Sequence, residues 1–332
     1  MEKYKYNGIL STIRNLSPTI KEAKFFYGDD DEKGKRIIDN LQGQWGDIFP
    51  ITIVPSEDLP MPQKLKLRWI NIVDLKCYQL TADIESEKMQ EMWEENEKQS
   101  PNAPFKYIVV GIGPYGEVVL WLRSNEKAVL FQQYQAKEVE YNEKERKVYS
   151  EMDSDEDVMQ SIITKEEFAG LMKQYDYRYV VLEEYFNGKK WIPYANDDDF
   201  YENINIAYLE DKREDGTFDF TDGDNLFKCH IAGMPNRITV SWNEGETNYF
   251  AHFWLNTRCV TLFFEALQKN FPGLPADILI RLDTRANRYE VAMTAEDLVT
   301  RTFIGTEYIV FKDSNEVCRS EEYYREDQEW EW

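Results

Sequence analysis

The sequence is short of the residue types on which several common chemistries depend. Its 332 residues include only two histidines, His230 and His252, and four scattered cysteines with no Cys-x-x-Cys pair. A zinc site needs three or four ligands with short paired spacings, and disulfide frameworks occur in small chains that are rich in cysteine. We therefore predict no metal site, no cofactor and no disulfides, and we expect unpaired thiols in a reducing cytoplasm.

Long apolar runs and positive charge are scarce as well. No stretch approaches the roughly 20 apolar residues that a membrane-spanning helix needs, and the N-terminus lacks the apolar segment of a secretory signal. Against 39 Lys and Arg the chain has 62 Asp and Glu, a formal net charge of -23. The lack of long apolar runs leads us to expect no membrane span. Because so acidic a protein repels phosphates, we also expect that it binds no nucleic acid. Any macromolecular partner should be a basic protein.

Aromatic residues are plentiful, and a short segment is repeated. Aromatic side chains make up 14% of the chain, enough apolar surface to exclude disorder throughout. Met61–Trp69 and Met234–Trp242 both read Met-Pro-x-(Lys/Arg)-(Leu/Ile)-x-(Leu/Val)-x-Trp without a gap. The alternation of apolar and polar positions predicts a strand with one buried face in each copy.

Similar elements follow each copy in the same order. A second alternating strand begins at Tyr78 and at Tyr249, and a helical pattern comes after each of them. A hairpin and a further strand then complete each copy. This order predicts a tandem duplication and an α+β fold of two similar domains, each a curved antiparallel sheet packed by one main helix. The first repeat domain would cover residues 1–195, with a helical insert near 164–174, and the second residues 196–332, with an acidic C-terminal tail.

The first copy resembles a known family. The strand Leu65-x-Leu67-x-Trp69, the strand at Tyr78, the hairpin around Gly113-Pro114-x-Gly116 and the ending Ile192-Pro193-Tyr194 are similar to bacterial proteins of the DUF2931 family, over roughly the first 195 residues. The second copy lacks the Gly-Pro turn and the Ile-Pro-Tyr ending. The resemblance implies a bacterial source and an α+β fold. Many relatives have a lipoprotein signal, so it also implies that export is common in the family. It transfers no catalytic residue, because the family has no established activity.

Motifs that could support catalysis are weak. Gly111-x-Gly113-x-x-Gly116 fits a dinucleotide fingerprint, but a strand pattern follows where a helix is needed, so we predict a hairpin turn. The acidic runs lack the ligand spacing of a calcium loop. No nucleophile stands in a recognised context. Paired carboxylates leave a hydrolase open as an alternative, because some pair among 62 acids must lie close together.

We therefore predict a binding protein and not an enzyme. The hypothesis is an immunity- or antitoxin-like protein that inhibits a basic toxin of a type VI or related interbacterial secretion system. The alternative to it, besides a hydrolase, is a cytoplasmic structural protein whose acidity serves solubility. The candidate partner-binding residues are acidic side chains in turns and one tryptophan: Asp29, Asp30, Asp31, Asp153, Asp155, Glu156, Asp157, Trp191, Asp197, Asp198 and Asp199.

Overall fold

The chain folds into two compact units, Met1–Gly170 and Leu171–Glu329. The structure, a computed structural model, describes residues 2–13, 16–28, 34–39, 45–48, 58–71, 73–143, 145, 164–183, 192–193, 204–222, 230–244, 246–283, 288–295, 302–303 and 306–320. The division falls at Gly170, whereas the sequence places it near residue 195. As a result the strand Gln174–Glu183 belongs to the second unit.

The first unit contains two sheets. In one of them β2 (Thr19–Phe26), β3 (Lys64–Ile70) and β4 (Cys77–Asp83) pair antiparallel in that order, with the short strands Lys35–Arg36 and Lys137–Glu138 at its edges. The other has the order β1 (Asn7–Thr12), β5 (Tyr107–Ile112), β6 (Glu117–Arg123) and β7 (Ala128–Gln135). Strands β1 and β5 run parallel and the other pairs antiparallel. A two-stranded pair, Tyr4–Lys5 with Asp58–Leu59, completes the unit.

Helix α1 (Ser86–Gln99) joins the two sheets of the first unit. Its buried residues are Met89, Trp93 and Asn96, which lie three and four positions apart and so share one face. Met89 and Trp93 pack in the same core as Leu65, Leu67 and other strand residues. The helix therefore forms where its apolar stripe can be buried between the strands that precede and follow it. A short helix, α2 (Lys165–Leu171), contains the division between the two units at Gly170.

The second unit also contains two sheets. Strands β9 (Ile204–Arg213), β10 (Phe218–Asp222), β11 (Pro235–Glu244), β12 (Thr247–Leu255), β15 (Thr306–Lys312) and β16 (Asn315–Arg319) form the first, all antiparallel, in the order β10-β9-β11-β12-β15-β16. In the second sheet β8 (Gln174–Glu183) runs parallel to β13 (Ala276–Asp283), which pairs antiparallel with β14 (Arg288–Ala295). The short strands Ile192–Pro193 and His230–Gly233 pair with β8, and Thr302–Phe303 pairs with β14.

Helix α3 (Thr257–Asn270) follows β12. Asn256 caps it, because its side-chain oxygen accepts a hydrogen bond from the Cys259 N–H at 3.1 Å. Val260, Phe264 and Leu267, which share one face of the helix, are buried in the core of the second unit, so the helical pattern predicted after the strand at Tyr249 is confirmed. Phe263 is only partly buried.

The α+β class is confirmed, but the predicted sheets need correction. Each unit has two sheets, and one of the two includes a parallel pair. The partners in these pairs, such as Asn7 with Tyr107, are far apart in the chain. Local alternation reveals a strand but not its distant partner, so a sequence pattern alone favours the nearest antiparallel arrangement.

Candidate functional site

The residues predicted from the sequence to bind a partner lie outside the described residues. This holds for Asp29, Asp30, Asp31, Asp153, Asp155, Glu156, Asp157, Trp191, Asp197, Asp198 and Asp199. The prediction for them stands untested. The described residues form three other groups with unusual charge or polarity, one on the first unit and two on the second.

The first group is a positively charged sheet surface in the first unit. On β3 the side chains of Leu65, Leu67 and Trp69 are completely buried. Because successive side chains of a strand point to opposite faces, the alternate positions 64, 66 and 68 point outward, and all three are basic; the strand ends at the buried Ile70. Lys24 on β2 faces Lys66 across the pair. The cationic face, as we term this surface, comprises Lys24, Lys64, Lys66 and Arg68.

Arg68 is held in the cationic face by a buried carboxylate. Its Nε and Nη2 donate to the two oxygens of Glu145 at 2.6 and 2.7 Å, and its Nη1 donates to Gln79 at 2.8 Å. Glu145 is 2% exposed. The hydrogen bonds from Arg68 lower the pKa of Glu145, although burial opposes this change. Such a bidentate pair is a strong and geometrically specific contact, which attaches the segment containing Glu145 to the sheet.

A second carboxylate, Glu22, bridges two lysines of this face. Its oxygens lie 3.0 Å from the Lys24 Nζ and 3.1 Å from the Lys66 Nζ. Burial by itself would raise the pKa of Glu22, but the hydrogen bonds from the two lysines lower it. The carboxylates of this surface are therefore stabilised in their charged form by cations, which makes a general-acid role at pH 7 unfavourable.

A cleft opens beside β2 where this strand has a β-bulge. The pairing of β2 with β3 shifts register between Ile20 and Glu22, which leaves Lys21 as the extra residue. The volume of the cleft is about 490 Å³, within the range of roughly 300–1,000 Å³ that small-molecule sites occupy. Its lining includes Leu10, Lys21, Ala23, Arg36, Ile37 and Asp39.

The second group is a cluster of buried acids in the second unit, around the turn between β9 and β10. Asp211, on the core side of β9, is completely buried, and its Oδ2 accepts from the Arg213 Nε at 2.7 Å and from the Tyr177 hydroxyl at 3.2 Å. Glu214 and Asp215 follow in the turn. Burial raises the pKa of Glu214 to about 7 and also raises that of Asp215. Because the pKa of Glu214 is raised to about 7, this cluster is sensitive to pH near neutrality.

The third group lies on the outward face of β12. Phe250, His252 and Trp254 alternate with the core residues of that strand and are partly buried. The ring of Phe250 stacks on that of Phe311 at 4.5 Å, and His252 Nδ1 lies 2.9 Å from the Thr239 hydroxyl. Burial, and then the charge of Arg237, lower the pKa of His252, so the ring is neutral at pH 7. Among the hydrogen bonds of the described residues, the Thr239 hydroxyl is the group that contacts this ring, and Thr239 is itself buried.

The described residues give no sign of a metal or nucleotide site. No group of three or more His, Cys, Asp or Glu side chains in this part of the chain is placed to hold a metal ion. The Gly111–Gly116 motif is the predicted hairpin turn, and strand β6 follows it. Gly111 serves packing, because a Cβ there would lie 2.4 Å from the Trp121 ring. Within the same residues no helix is both long and apolar enough to cross a membrane.

Sequence reasoning missed the charged surface and the cleft. The alternation of Lys64, Lys66 and Arg68 with apolar residues was a visible signal for the cationic face. The bulge at Lys21 had no such signal, because it depends on the pairing of two strands.

Comparisons with known proteins return one match. The family model described as "Protein of unknown function (DUF2931)" matches residues 10–177. No curated protein matches, and no solved structure matches.

Proposed function

Because the chain belongs to the DUF2931 family, whose function is unknown, we propose a function from its own residues. The protein is a non-catalytic bacterial binding protein, an immunity- or antitoxin-like inhibitor of a basic protein toxin. The toxin would belong to a type VI or related interbacterial secretion system. Inhibition would take place in the cytoplasm, where the chain would meet an incoming toxin.

One observation carries this proposal, the formal net charge of -23. A strongly acidic surface attracts a cationic protein from a distance and raises the rate of encounter more than the final affinity. An inhibitor of an incoming toxin benefits from fast association, because it must bind before the toxin acts. The charge also keeps nucleic acid away from the inhibitor itself.

We further propose that the two units arose by tandem duplication, which would double the surface available for binding. The support comes from strand pairing. In the first unit β2, β3 and β4 pair in that order before α1, and a parallel pair joins β1 to β5. In the second, β9, β11 and β12 pair in that order before α3, and a parallel pair joins β8 to β13. Both helices have 14 residues.

Local details support the duplication independently. The repeated tryptophans Trp69 and Trp242 both stack on a tyrosine of the next strand, at 5.6 Å from Tyr78 and 5.3 Å from Tyr249. The register shift between β2 and β3 falls beside the residue opposite Trp69, and the shift between β9 and β11 falls beside the residue opposite Trp242. Bulges tend to persist within families, so a shared bulge position favours common descent.

The charge of the described surface restricts where a basic partner could dock. On the cationic face the acids Glu22 and Glu145 are already bound by Lys24, Lys66 and Arg68, so this surface offers a basic partner no unpaired carboxylate from these two residues. The acidic segments 29–31, 153–157 and 197–199 are therefore the better contact candidates, with Trp191 as an aromatic anchor. On this assignment the toxin does not contact the sheet surface of the first unit.

The test is direct binding to a basic toxin domain encoded next to the gene of this protein, together with protection of cells that express the toxin. We expect the association rate to fall steeply between about 50 and about 500 mM salt, because screening shortens the range of the attraction. The absence of binding and protection, or an association rate indifferent to salt, would contradict the proposal.

A charge-matched pair of variants tests the location. Changing Asp197, Asp198 and Asp199 to asparagine should slow association more than changing Glu87, Glu91 and Glu97 to glutamine. The second set removes the same charge from exposed positions of α1. Equal effects would mean that only the net charge matters and that residues 197–199 do not form the contact.

A further inference from the structure

Four aromatic side chains form a row on the outward side of β12 and β15. The ring centroids of Phe250 and Phe311 lie 4.5 Å apart, those of Phe250 and His252 5.5 Å, and those of His252 and Trp254 5.8 Å. All four side chains keep part of their surface exposed. The aromatic face, as we term this row, comprises Phe250, His252, Trp254 and Phe311. Exposed aromatic rings that contact one another are typical of the centre of a protein interface.

An acidic residue stands beside the end of this row. Glu307 on β15 is directly opposite Trp254 on β12 in the antiparallel pairing. The two side chains of such a pair lie on the same face of the sheet, with Cβ atoms about 4.5–5.5 Å apart. The indole ring and the carboxylate are therefore placed to contact one small group at the same time.

Neither member of this pair has a charged partner among the described residues. The Glu307 carboxylate makes no ion pair there, and burial alone raises its pKa, as expected for a carboxylate that no cation compensates. Arg237 faces Trp254 from the strand on its other side, but it is bound to Glu210 at 2.8 Å. His252 is neutral at pH 7 and so repels no cation.

We propose that Trp254 and Glu307 together bind an arginine side chain of a basic protein partner. The guanidinium group lies against the indole ring by a cation–π contact and donates hydrogen bonds to the carboxylate. Arginine suits this pair better than lysine, because its planar group stacks on a ring and binds a carboxylate in a fixed geometry. The basic nature of the partner rests on the proposed function, whereas the site itself is testable with a peptide.

The rest of the aromatic face determines which residue accompanies the arginine. Trp254 and His252 are two positions apart on β12, which places their side chains about 6.6 Å apart along the strand. An extended segment of the partner has the same spacing. With an arginine over Trp254, the side chain two positions away lies over His252 and Phe250, where an aromatic residue would bury its ring. The segment therefore carries an arginine and an aromatic residue separated by one position.

Three peptides test the role of the guanidinium group. Acetyl-Arg-Gly-Phe amide carries both side chains, its lysine analogue keeps the charge without the planar group, and its citrulline analogue keeps the shape without the charge. Affinities come from ligand-observed NMR titrations of the full chain, and the indole N–H signal of Trp254, assigned by its loss in Trp254→Leu, reports the location. We expect the arginine peptide to bind most tightly and the citrulline peptide most weakly. Salt should weaken the binding of the arginine peptide.

Two variants test the residues of the site. Glu307→Gln should weaken binding of the arginine peptide about two- to fivefold, the range of exposed ion pairs, and Trp254→Leu should weaken it by a similar factor through loss of the cation–π contact. Glu265→Gln removes the same charge from an exposed position of α3, which packs on the core side of the sheet, and should leave binding unchanged. Because the Glu307 carboxylate has no described cation, Glu307→Gln should not lower the urea midpoint, which separates lost binding from lost folding.

Four results would overturn the proposal. They are no shift of the Trp254 signal up to about 20 mM arginine peptide, equal affinity for the arginine and citrulline peptides, equal losses in Glu265→Gln and Glu307→Gln, and a smaller sedimenting mass for Trp254→Leu than for the wild type. The last result would assign the aromatic face to self-association. Peptide binding as expected without any toxin binding would support this site and count against the proposed function, so the two proposals fail separately.

Discussion

Replacing Glu214 by glutamine should stabilise the protein at high pH and leave it nearly unchanged at low pH. Glu214 lies in the turn between β9 and β10, where the Thr257 hydroxyl donates to its Oε1 at 2.9 Å. Burial raises its pKa from the usual 4.5 to about 7. Below pH 4.5 the carboxyl group is protonated in both the folded and the unfolded chain. Between 4.5 and about 7 it ionises more readily in the unfolded chain, so folding loses stability as the pH rises.

The size of the effect follows from the change in pKa. Each tenfold change in proton affinity is worth about 1.4 kcal/mol, so the rise from 4.5 to about 7 costs the folded chain about 3 kcal/mol above pH 7. This figure is an upper bound, because the Glu214 residue keeps some solvent exposure. Glutamine has nearly the same shape, can accept the hydrogen bond from Thr257 and never ionises. It should therefore recover most of the lost stability at pH 8 and little at pH 4.

The measurement is the free energy of unfolding from urea titrations of the full chain at pH 4 and pH 8, followed by tryptophan fluorescence. Glu246→Gln, which changes an exposed acid in the turn between β11 and β12 of the same unit, is the matched control and should give the same small difference at both pH values. A Glu214→Gln effect that is equal at pH 4 and pH 8 would refute the assignment of a raised pKa to this carboxyl. A variant less stable than the wild type at pH 8 would refute it as well.

Two further predictions concern the first unit. Arg68→Met should lower the free energy of unfolding by about 3 kcal/mol, because it leaves the buried carboxylate of Glu145 without its cation. Lys76→Met breaks an exposed ion pair and should leave the urea midpoint unchanged. Equal losses of unfolding free energy in Arg68→Met and Lys76→Met would mean that burial of the ion pair does not matter at Arg68. Gly116→Ala should cost more than Gly28→Ala. Both glycines have positive φ, so either change costs about 1–2 kcal/mol, but only at Gly116 does the added Cβ meet a neighbour, at 2.8 Å. Equal thermal shifts for the two variants would contradict the predicted clash.

The elements with strong local periodicity were predictable from the sequence. The buried positions of β3 and β11 follow from alternation, and helix α3 follows from its apolar stripe and the cap at Asn256. The start of α2, within the predicted helical insert, also has a local signal: Thr164 and Glu167 form a capping box, with the Glu167 N–H donating to the Thr164 hydroxyl at 3.2 Å. In each case the deciding interactions lie within about four residues, which a sequence window contains.

The charged sites could not be predicted because they depend on contacts between distant residues. Arg68 and Glu145 are 77 positions apart, and their pairing requires the segment after β7 to return to the sheet. The raised pKa of Glu214 is caused by burial, and it is opposed by the hydrogen bond from Thr257, which is 43 positions away. The sequence does not distinguish one acidic residue from another by its environment. Only burial in the folded chain separates a solvated carboxylate from one whose pKa is raised and whose ionisation lowers the stability of the fold.

The repeated strands β3 and β11 agree in their inward residues and differ in their outward residues. On the proposed duplication, the inward residues of β3 and β11 are equivalent, and Leu65, Trp69 and Trp242 are all completely buried. The outward residues differ. Lys64, Lys66 and Arg68 face outward on β3, whereas Arg237, Thr239 and Ser241 occupy the matching positions on β11. Packing constrains the inward set, because any change there costs stability. The outward set is less constrained, and within the described residues the run of basic side chains on β3 is not repeated at the matching positions of β11.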